Sequence, residues 1–316
     1  MDRRKFLRQT GTLIAGAAIA PYAFPENNGQ AAAMPTGRLV LPMNRKWRYS
    51  RTVIEAGHAK DFDDSGFDRV VIPHTNIRLP WHGFDEKTYE FVSLYRRRFK
   101  LPPEARGKRV FVDFEGVMTA STVWINGVKL GEYKGGYTPF SFELTSHVDF
   151  DGENVLAVDV DSSERPDIPP FGYEIDYLTF GGIYREVSLR VVPTTFIENI
   201  FVRPKNVLTA TPGLDVDCFV QHLDASHDSL TLEVELLDGE RAVAKASQPL
   251  PSSGASSEAA AHTLHLEGLS GIKLWSMEDR NLYSCACDCA AGRNCWTKTR
   301  GVSGFARRNS PITASS

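Results

Sequence analysis

Residues 107–144, GKRVFVDFEGVMTASTVWINGVKLGEYKGGYTPFSFEL, lead through GENVLAVDVD (152–161) to GGIYREVSLRVV (181–192), and these stretches decide the fold. Val110, Val112 and Phe114 alternate with polar or outward positions, as do Val123 and Ile125, then Phe140, Phe142 and Leu144, then Leu156, Val158 and Val160. A two-residue apolar period is the mark of half-buried strands. Asn126-Gly127 closes one such run, and Asn-Gly suits a type I′ hairpin because both turn residues need positive φ. Short strands recurring with turn signals between them predict an antiparallel β-sandwich, and an all-β protein with almost no helix.

The surrounding chain supports this reading and narrows the class. Lys and Arg number 36 against 39 Asp and Glu, for a formal net charge of −3. With no basic face and no aromatic RNA-binding motif, nucleic acid is not an expected partner. Gly-rich phosphate loops, HExxH and Gly-x-Ser-x-Gly are all missing from the sequence, so no cofactor and no metal is expected by motif. At the N-terminus, Arg3-Arg4 precedes Phe6-Leu7, a short apolar stretch runs from Thr12 to Ala20, and Ala31-Ala32-Ala33 offers a small-residue cleavage site. This is the layout of a twin-arginine export signal over residues 1–33. The apolar stretch falls short of the roughly twenty residues that span a bilayer. A periplasmic or extracellular protein follows, with no membrane attachment once the signal is removed.

The wording of the motifs resembles glycoside hydrolase family 2, whose members include β-galactosidases, β-glucuronidases and β-mannosidases. VWINGVKLGEYKGGYTPFSFEL and FGGIYREVSL carry the resemblance, with Phe67, Pro73 and His74 matching the family's "D-x-x-W/F-x-x-V-x-x-P-H". It implies a sugar-binding jelly-roll domain over 34–193, opening on an edge strand within LVLPMNRKWRYSR. Pro193 marks the boundary. The alternating runs at Phe196–Arg203, Leu214–Val220 and Leu230–Leu236 then predict an immunoglobulin-like sandwich over 194–283. Pro251–Ala261, PSSGASSEAAA, reads as a flexible loop by composition. Leu274–Tyr283 resembles the family's "L-W-S-x-E-x-P-x-L-Y", with Arg280 in place of the proline.

After Tyr283 the character changes. SCACDCAAGRNC (284–295) holds four of the five cysteines where the family has an alternating strand. A thiolate metal cluster is one reading, although the paired Cys-x-x-Cys knuckles of structural zinc are not there. A reading-frame shift is the other. Every Cys codon begins T-G, so a codon built from the last base of one residue and the first two of the next gives Val, Leu or Met at Ser284/Cys285 and at Ala286/Cys287. Asp288/Cys289, Asn294/Cys295 and Cys295/Trp296 each must give Leu, and Trp296/Thr297 must give Asp. Ser303–Ala306 permits Gly-Val-Arg and Arg308–Ser316 permits Glu-Phe-Thr-Asp-His-Gly-Phe-Phe, which match the family's "G-(F/I/V)-R" and "F-x-x-x-G-F-F-L-N-G". The frame-shifted reading is therefore expected, with 284–316 an out-of-frame, disordered tail. Arg293, Lys298, Arg300, Arg307 and Arg308 interrupt any apolar alternation there, and Gly292, Gly301 and Gly304 weaken strands. The second sandwich is then incomplete, with an unpaired edge.

The resemblance implies a catalytic (β/α)₈ barrel after this point, whose two glutamates hydrolyse the glycosidic bond by a retaining double displacement. No catalytic residue is therefore expected in this chain, which would pack on that barrel in the full-length enzyme. Sugar recognition needs aromatic faces for C–H groups and carboxylates or amides for hydroxyls. Trp81, His82 and Asp85 form one loop of that chemistry, and Glu174, Asp176 and Tyr177 another. In family β-galactosidases an acidic residue just before "G-I-(F/Y)-R" reaches the active site. Glu174 and Asp176 both lie in that window, and the resemblance does not choose between them.

The arginines of Tyr95-Arg96-Arg97-Arg98-Phe99 are expected to face solvent, Trp47 and Trp124 to be core, and Arg185 to pair with a carboxylate inside the fold. The expected function is the non-catalytic N-terminal part of an exported β-galactosidase-like glycosidase. A free-standing carbohydrate-binding protein is the alternative.

Overall fold

A computed structural model describes residues 37–78, 82, 85–169, 171, 179–222, 230–250, 256–291 and 294–305. The export signal, Trp81 and residues 172–178 lie outside them, so the expectations for Trp81, Glu174, Asp176 and Tyr177 do too. Among the described residues no helix is long and apolar enough to cross a membrane, and the only helical pieces are three short 3₁₀ turns.

The first sandwich is built from ten strands. They are β1 (Leu39–Pro42), β2 (Trp47–Ser50), β3 (Asp68–Val70), β4 (Val92–Phe99), β5 (Arg109–Phe114), β6 (Ala120–Ile125), β7 (Val128–Lys134), β8 (Phe140–Glu143), β9 (Asn154–Asp161) and β10 (Val187–Val192). One sheet runs β1-β10-β5-β8 and the other β3-β2-β4-β9-β6-β7. Their inner faces share a core of Trp47, Tyr95, Phe114, Val123, Ile125, Leu156, Val158, Val160 and Leu189. Each such side chain removed from water stabilises by about 1.5–3 kcal/mol. The predicted alternations are the inward positions. Asn126 (φ 51°) and Gly127 (φ 85°) form the left-handed pair that the β6–β7 hairpin requires. β1 is indeed an edge strand, pairing with β10.

Phe111 breaks the alternation of β5 by being buried although it points away from this core. Val192 and Phe196 bury it, because the second sandwich sits on that face. Arg109 ties the two together, donating to Gln221 from the second and to Glu143 Oε1 and Oε2 (2.9 and 2.6 Å) from the first.

The arginine run departs from expectation. Arg96 is wholly buried. It donates to Asp64 Oδ2 (2.9 Å) and to the carbonyls of Gly57, Ala59 and Phe62, because the 55–67 segment folds over the outer face of β4. Trp124 is only half-buried: it lies on the outer face of β6, where His58 stacks on it at 3.9 Å. Arg185 is exposed and donates to the Tyr137 carbonyl, and no described carboxylate forms an ion pair with it. It precedes β10, so its side chain projects out of the fold and not into a ladder.

The second sandwich contains β11 (Thr195–Lys205), β12 (Gly213–His222), β13 (Leu230–Asp238), β14 (Arg241–Pro249), β15 (Ser256–Leu266), β16 (Tyr283–Ala291) and β17 (Asn294–Ser303). β11-β12-β15 faces β14-β13-β16-β17. This sandwich departs from expectation in two places. Half of PSSGASSEAAA is strand β15, with Ala260 opposite Val220, because a backbone ladder accepts small side chains that composition reads as loop.

Within the tail, residues 284–291 and 294–303 are likewise strand, and 306–316 lie outside the described residues. β16 pairs with β13 from Ala291↔Leu230 to Ser284↔Leu237, and β17 pairs with β16. Cys285, Cys287 and Cys289 take the inward positions of β16 and are fully buried. A thiol is a small apolar side chain for packing purposes, so Cys-x-Cys-x-Cys has the two-residue period a closing strand needs. Phe305 is also fully buried, its ring against Tyr283. The edge of β13 is therefore filled.

Candidate functional site

The best-organised cluster of aromatic and polar groups lies at one end of the first sandwich, where the 72–76, 89–91, 116–119 and 179–183 loops meet. The backbone builds it first. His74 N–H donates to the Ile183 carbonyl (2.8 Å) and Asn76 N–H to that of Gly181 (2.9 Å), so these two loops run side by side. Met118 and Gly182 exchange N–H···O bonds of 3.0 and 3.2 Å. Gly182 sits at φ +110°, and a Cβ there would stand 2.7 Å from both the His74 carbonyl and the Tyr95 hydroxyl. Only glycine fits.

Side chains then lock the loops. Tyr49 Oη donates to the Asn76 carbonyl (2.6 Å), Asn76 Nδ2 donates to the Tyr89 carbonyl (2.6 Å), and the Tyr89 hydroxyl lies 3.2 Å from Thr179 Oγ1. His74 Nδ1 is 2.9 Å from the Tyr95 hydroxyl. Burial pushes the Tyr49 phenol up to about 12, and burial raises Tyr95 further. Both stay protonated and act as donors. The protonated Tyr95 hydroxyl is able to donate to His74 Nδ1. Asn76 Oδ1 is buried with no described partner. Among the described residues no group of three or more His, Cys, Asp and Glu is placed to hold a metal.

Of the predicted site residues, His82 and Asp85 lie within the described chain. His82 is exposed. Asp85 is exposed and opens the 3₁₀ turn Glu86–Thr88, its Oδ1 accepting the Lys87 N–H (3.0 Å) and its carbonyl the Thr88 N–H and hydroxyl. One carboxylate oxygen is thus committed to the turn. Phe171 and Phe180, on either side of residues 172–178 in sequence, expose about half of their area (50% and 45%). The described residues thus offer exposed aromatic faces and hydrogen-bonding groups, the chemistry that sugar contact needs.

Sequence reasoning missed most of the floor: Tyr49, Asn76, Tyr89 and Tyr95. Pro73-His74 and the FGGIYREVSL motif that holds Gly182 carried a signal, and the rest did not because the floor comes from four separate segments.

Burial lowers the His74 pKa, with the Asp68 charge opposing it more weakly. A folded-state value below the unfolded 6.5 means that the unfolded chain binds the extra proton as pH falls. This contribution is fully present above pH 6.5 and is lost as pH drops through the folded value. The thermal midpoint of the wild type is expected to fall between pH 7 and 5, and that of His74→Gln to fall less. Parallel curves for the two proteins would mean that His74 is not the titrating group.

Comparison with known proteins agrees with this geometry. Residues 41–193 match the family "Glycosyl hydrolases family 2, sugar binding domain". The chain is 37% identical over 249 residues to a beta-galactosidase of Thermoanaerobacterium thermosulfurigenes, covering 78% of this chain and 34% of that protein. It is 28% identical over 229 residues to a beta-glucuronidase of Formosa agariphila, covering 65% of this chain and 23% of that protein. Among solved structures, a calcium binding mutant of Bacteroides uniformis beta-glucuronidase 2 superposes with a TM-score of 0.75 at 25% identity, over 85% of this chain and 33% of that one. A putative beta-galactosidase from Bacteroides fragilis gives 0.71 at 25% identity, over 85% and 41%.

Fold and site thus define a pair of β-sandwiches, the first of them a jelly roll that matches the sugar binding domain of a glycosidase family. The chain belongs to glycosyl hydrolase family 2 and spans 34% and 27% of the length of two curated beta-galactosidases that it matches.

Proposed function

We propose that the chain is the N-terminal, non-catalytic part of an exported β-galactosidase-type glycosidase that hydrolyses O-glycosidic bonds in carbohydrate metabolism. The match of residues 41–193 to the family's sugar-binding domain carries the proposal. On this reading His82, Asp85, Trp81, Tyr177 and either Glu174 or Asp176 present the sugar-facing chemistry, and a carbohydrate is the partner. The barrel and its two glutamates are encoded beyond Tyr283 in the shifted frame, and the two sandwiches pack on it. The Arg3-Arg4 signal would take the protein out of the cytoplasm.

The purified chain is expected to hydrolyse no nitrophenyl glycoside, whereas the product of the restored frame should hydrolyse nitrophenyl β-galactoside. Sequencing the gene across codons 280–290 and assaying both proteins tests this. Turnover by the chain itself, free of contaminating hydrolase, would overturn the reading, and so would a restored frame that yields no barrel.

A further inference from the structure

Cys218 and Cys287 belong to facing sheets of the second sandwich, on β12 and β16. Both are fully buried, and their Sγ atoms lie 3.3 Å apart across the core, joining positions 69 residues apart in sequence. Cys285 and Cys289 flank Cys287 on the same inward face of β16, and Val216 and Val220 flank Cys218 on β12. A metal does not account for the cluster, since no described group of three or more ligands is arranged for one.

We propose that Cys218 and Cys287 form an inter-sheet disulfide that staples β12 to β16 when the chain folds in the presence of a disulfide oxidant. Closing the bond requires the sulfurs to approach from 3.3 Å to about 2.05 Å. The chemistry is two exchanges. A cysteine thiolate attacks the S–S bond of the oxidant, which leaves as one thiol and one mixed disulfide. The second cysteine then attacks the protein sulfur of the mixed disulfide and releases the oxidant's other half as a thiol. Two protein thiols lose two hydrogens and one oxidant disulfide gains them. Thiolates react and buried thiols do not. Cys287 is held strongly in the thiol form by its hydrogen bonds to Cys218 and Cys285 and by burial. The exchange therefore takes place before β16 closes, and the finished bond is shielded from reductant. The bond belongs to the chain in the present reading frame, because a one-base shift puts an apolar residue on β16 in place of Cys287.

The full chain, unfolded and reduced, is refolded with oxidised glutathione or with dithiothreitol and digested without reduction. Mass spectrometry should find the Cys218 peptide joined to the Cys287 peptide in the oxidised sample, lighter by two hydrogens than their sum. A loop of this length is expected to raise the thermal midpoint of the second sandwich by roughly 10 °C. Cys285→Ser should keep the link. Cys287→Ala, chosen to keep the core apolar, should lose both link and shift. A link from Cys218 to Cys285 or Cys289, a glutathione adduct in place of the link, or unlinked thiols in soluble oxidised protein with a native near-ultraviolet spectrum would each overturn the proposal. So would a linked chain that melts at the same temperature as the reduced one.

Discussion

Deleting residues 284–316 is expected to unfold the second sandwich. β16 supplies the hydrogen-bonded neighbour of β13 along Leu230–Leu237 and also the facing layer of the core. Cys285, Cys287, Cys289 and Phe305 are all fully buried there. At about 1.5–3 kcal/mol for a large apolar side chain and somewhat less for a thiol, their loss removes on the order of 5 kcal/mol before any ladder bond is counted. Domains have about 5–15 kcal/mol in total. The deletion also leaves β13 as an open edge beside exposed Leu232, Val234 and Leu236, a template for aggregation. Limited proteolysis of the shortened chain should cut throughout 194–283 and spare most of 37–192. Full protection of 194–283 would show that β16 and β17 contribute little. Restoring the family's frame should by contrast preserve the sandwich, because the shifted codons put apolar residues at the same alternate positions.

Asp64→Ala should cost the first sandwich about 3–5 kcal/mol. Arg96 has no exposed surface, and Asp64 is the carboxylate that meets it, with Oδ2 2.9 Å from Nε. Asp64 also stands 3.4 Å from Arg98 Nε and 4.0 Å from Arg48 Nε, so three guanidinium groups share it. Burial lowers the Arg96 pKa and the Asp64 hydrogen bond and charge raise it back in part, which is the signature of a buried cation that needs its partner. Without Asp64 the charge remains in the fold with only the Gly57, Ala59 and Phe62 carbonyls around it. Replacing Arg96 with Met in the Asp64→Ala background should recover much of the loss, since a well-packed apolar pair often equals a buried ion pair. Urea denaturation of the three proteins measures this. A loss below about 1 kcal/mol for Asp64→Ala, the range of a surface pair, would show that water reaches the guanidinium.

The strands of the first sandwich were legible because each buries one face: Val110-x-Val112-x-Phe114 and Leu156-x-Val158-x-Val160 admit one register. The Asn126-Gly127 turn was legible because its φ values exclude most other residues. Glycosidase kinship was legible from local wording alone. Arg96 was misread because its environment comes from a segment some forty residues earlier, and no period in β4 announces that cover. The tail was misread for a related reason. Its arginines and glycines argue against a strand, but a waiting partner edge on β13 and a core that accepts thiols outweigh weak intrinsic preference.

The sequence by itself thus determined the two-sandwich class, the inward faces of most strands and the hairpin turn, because these depend on neighbours one, two or four residues away. The tertiary structure alone decided which arginine is buried, that Phe111 faces a second domain, that Tyr49, Asn76, Tyr95 and Gly182 form one floor, and that Cys218 meets Cys287. Each of those is a contact between segments far apart in the chain, and side-chain periodicity says which way a residue points without saying what it meets.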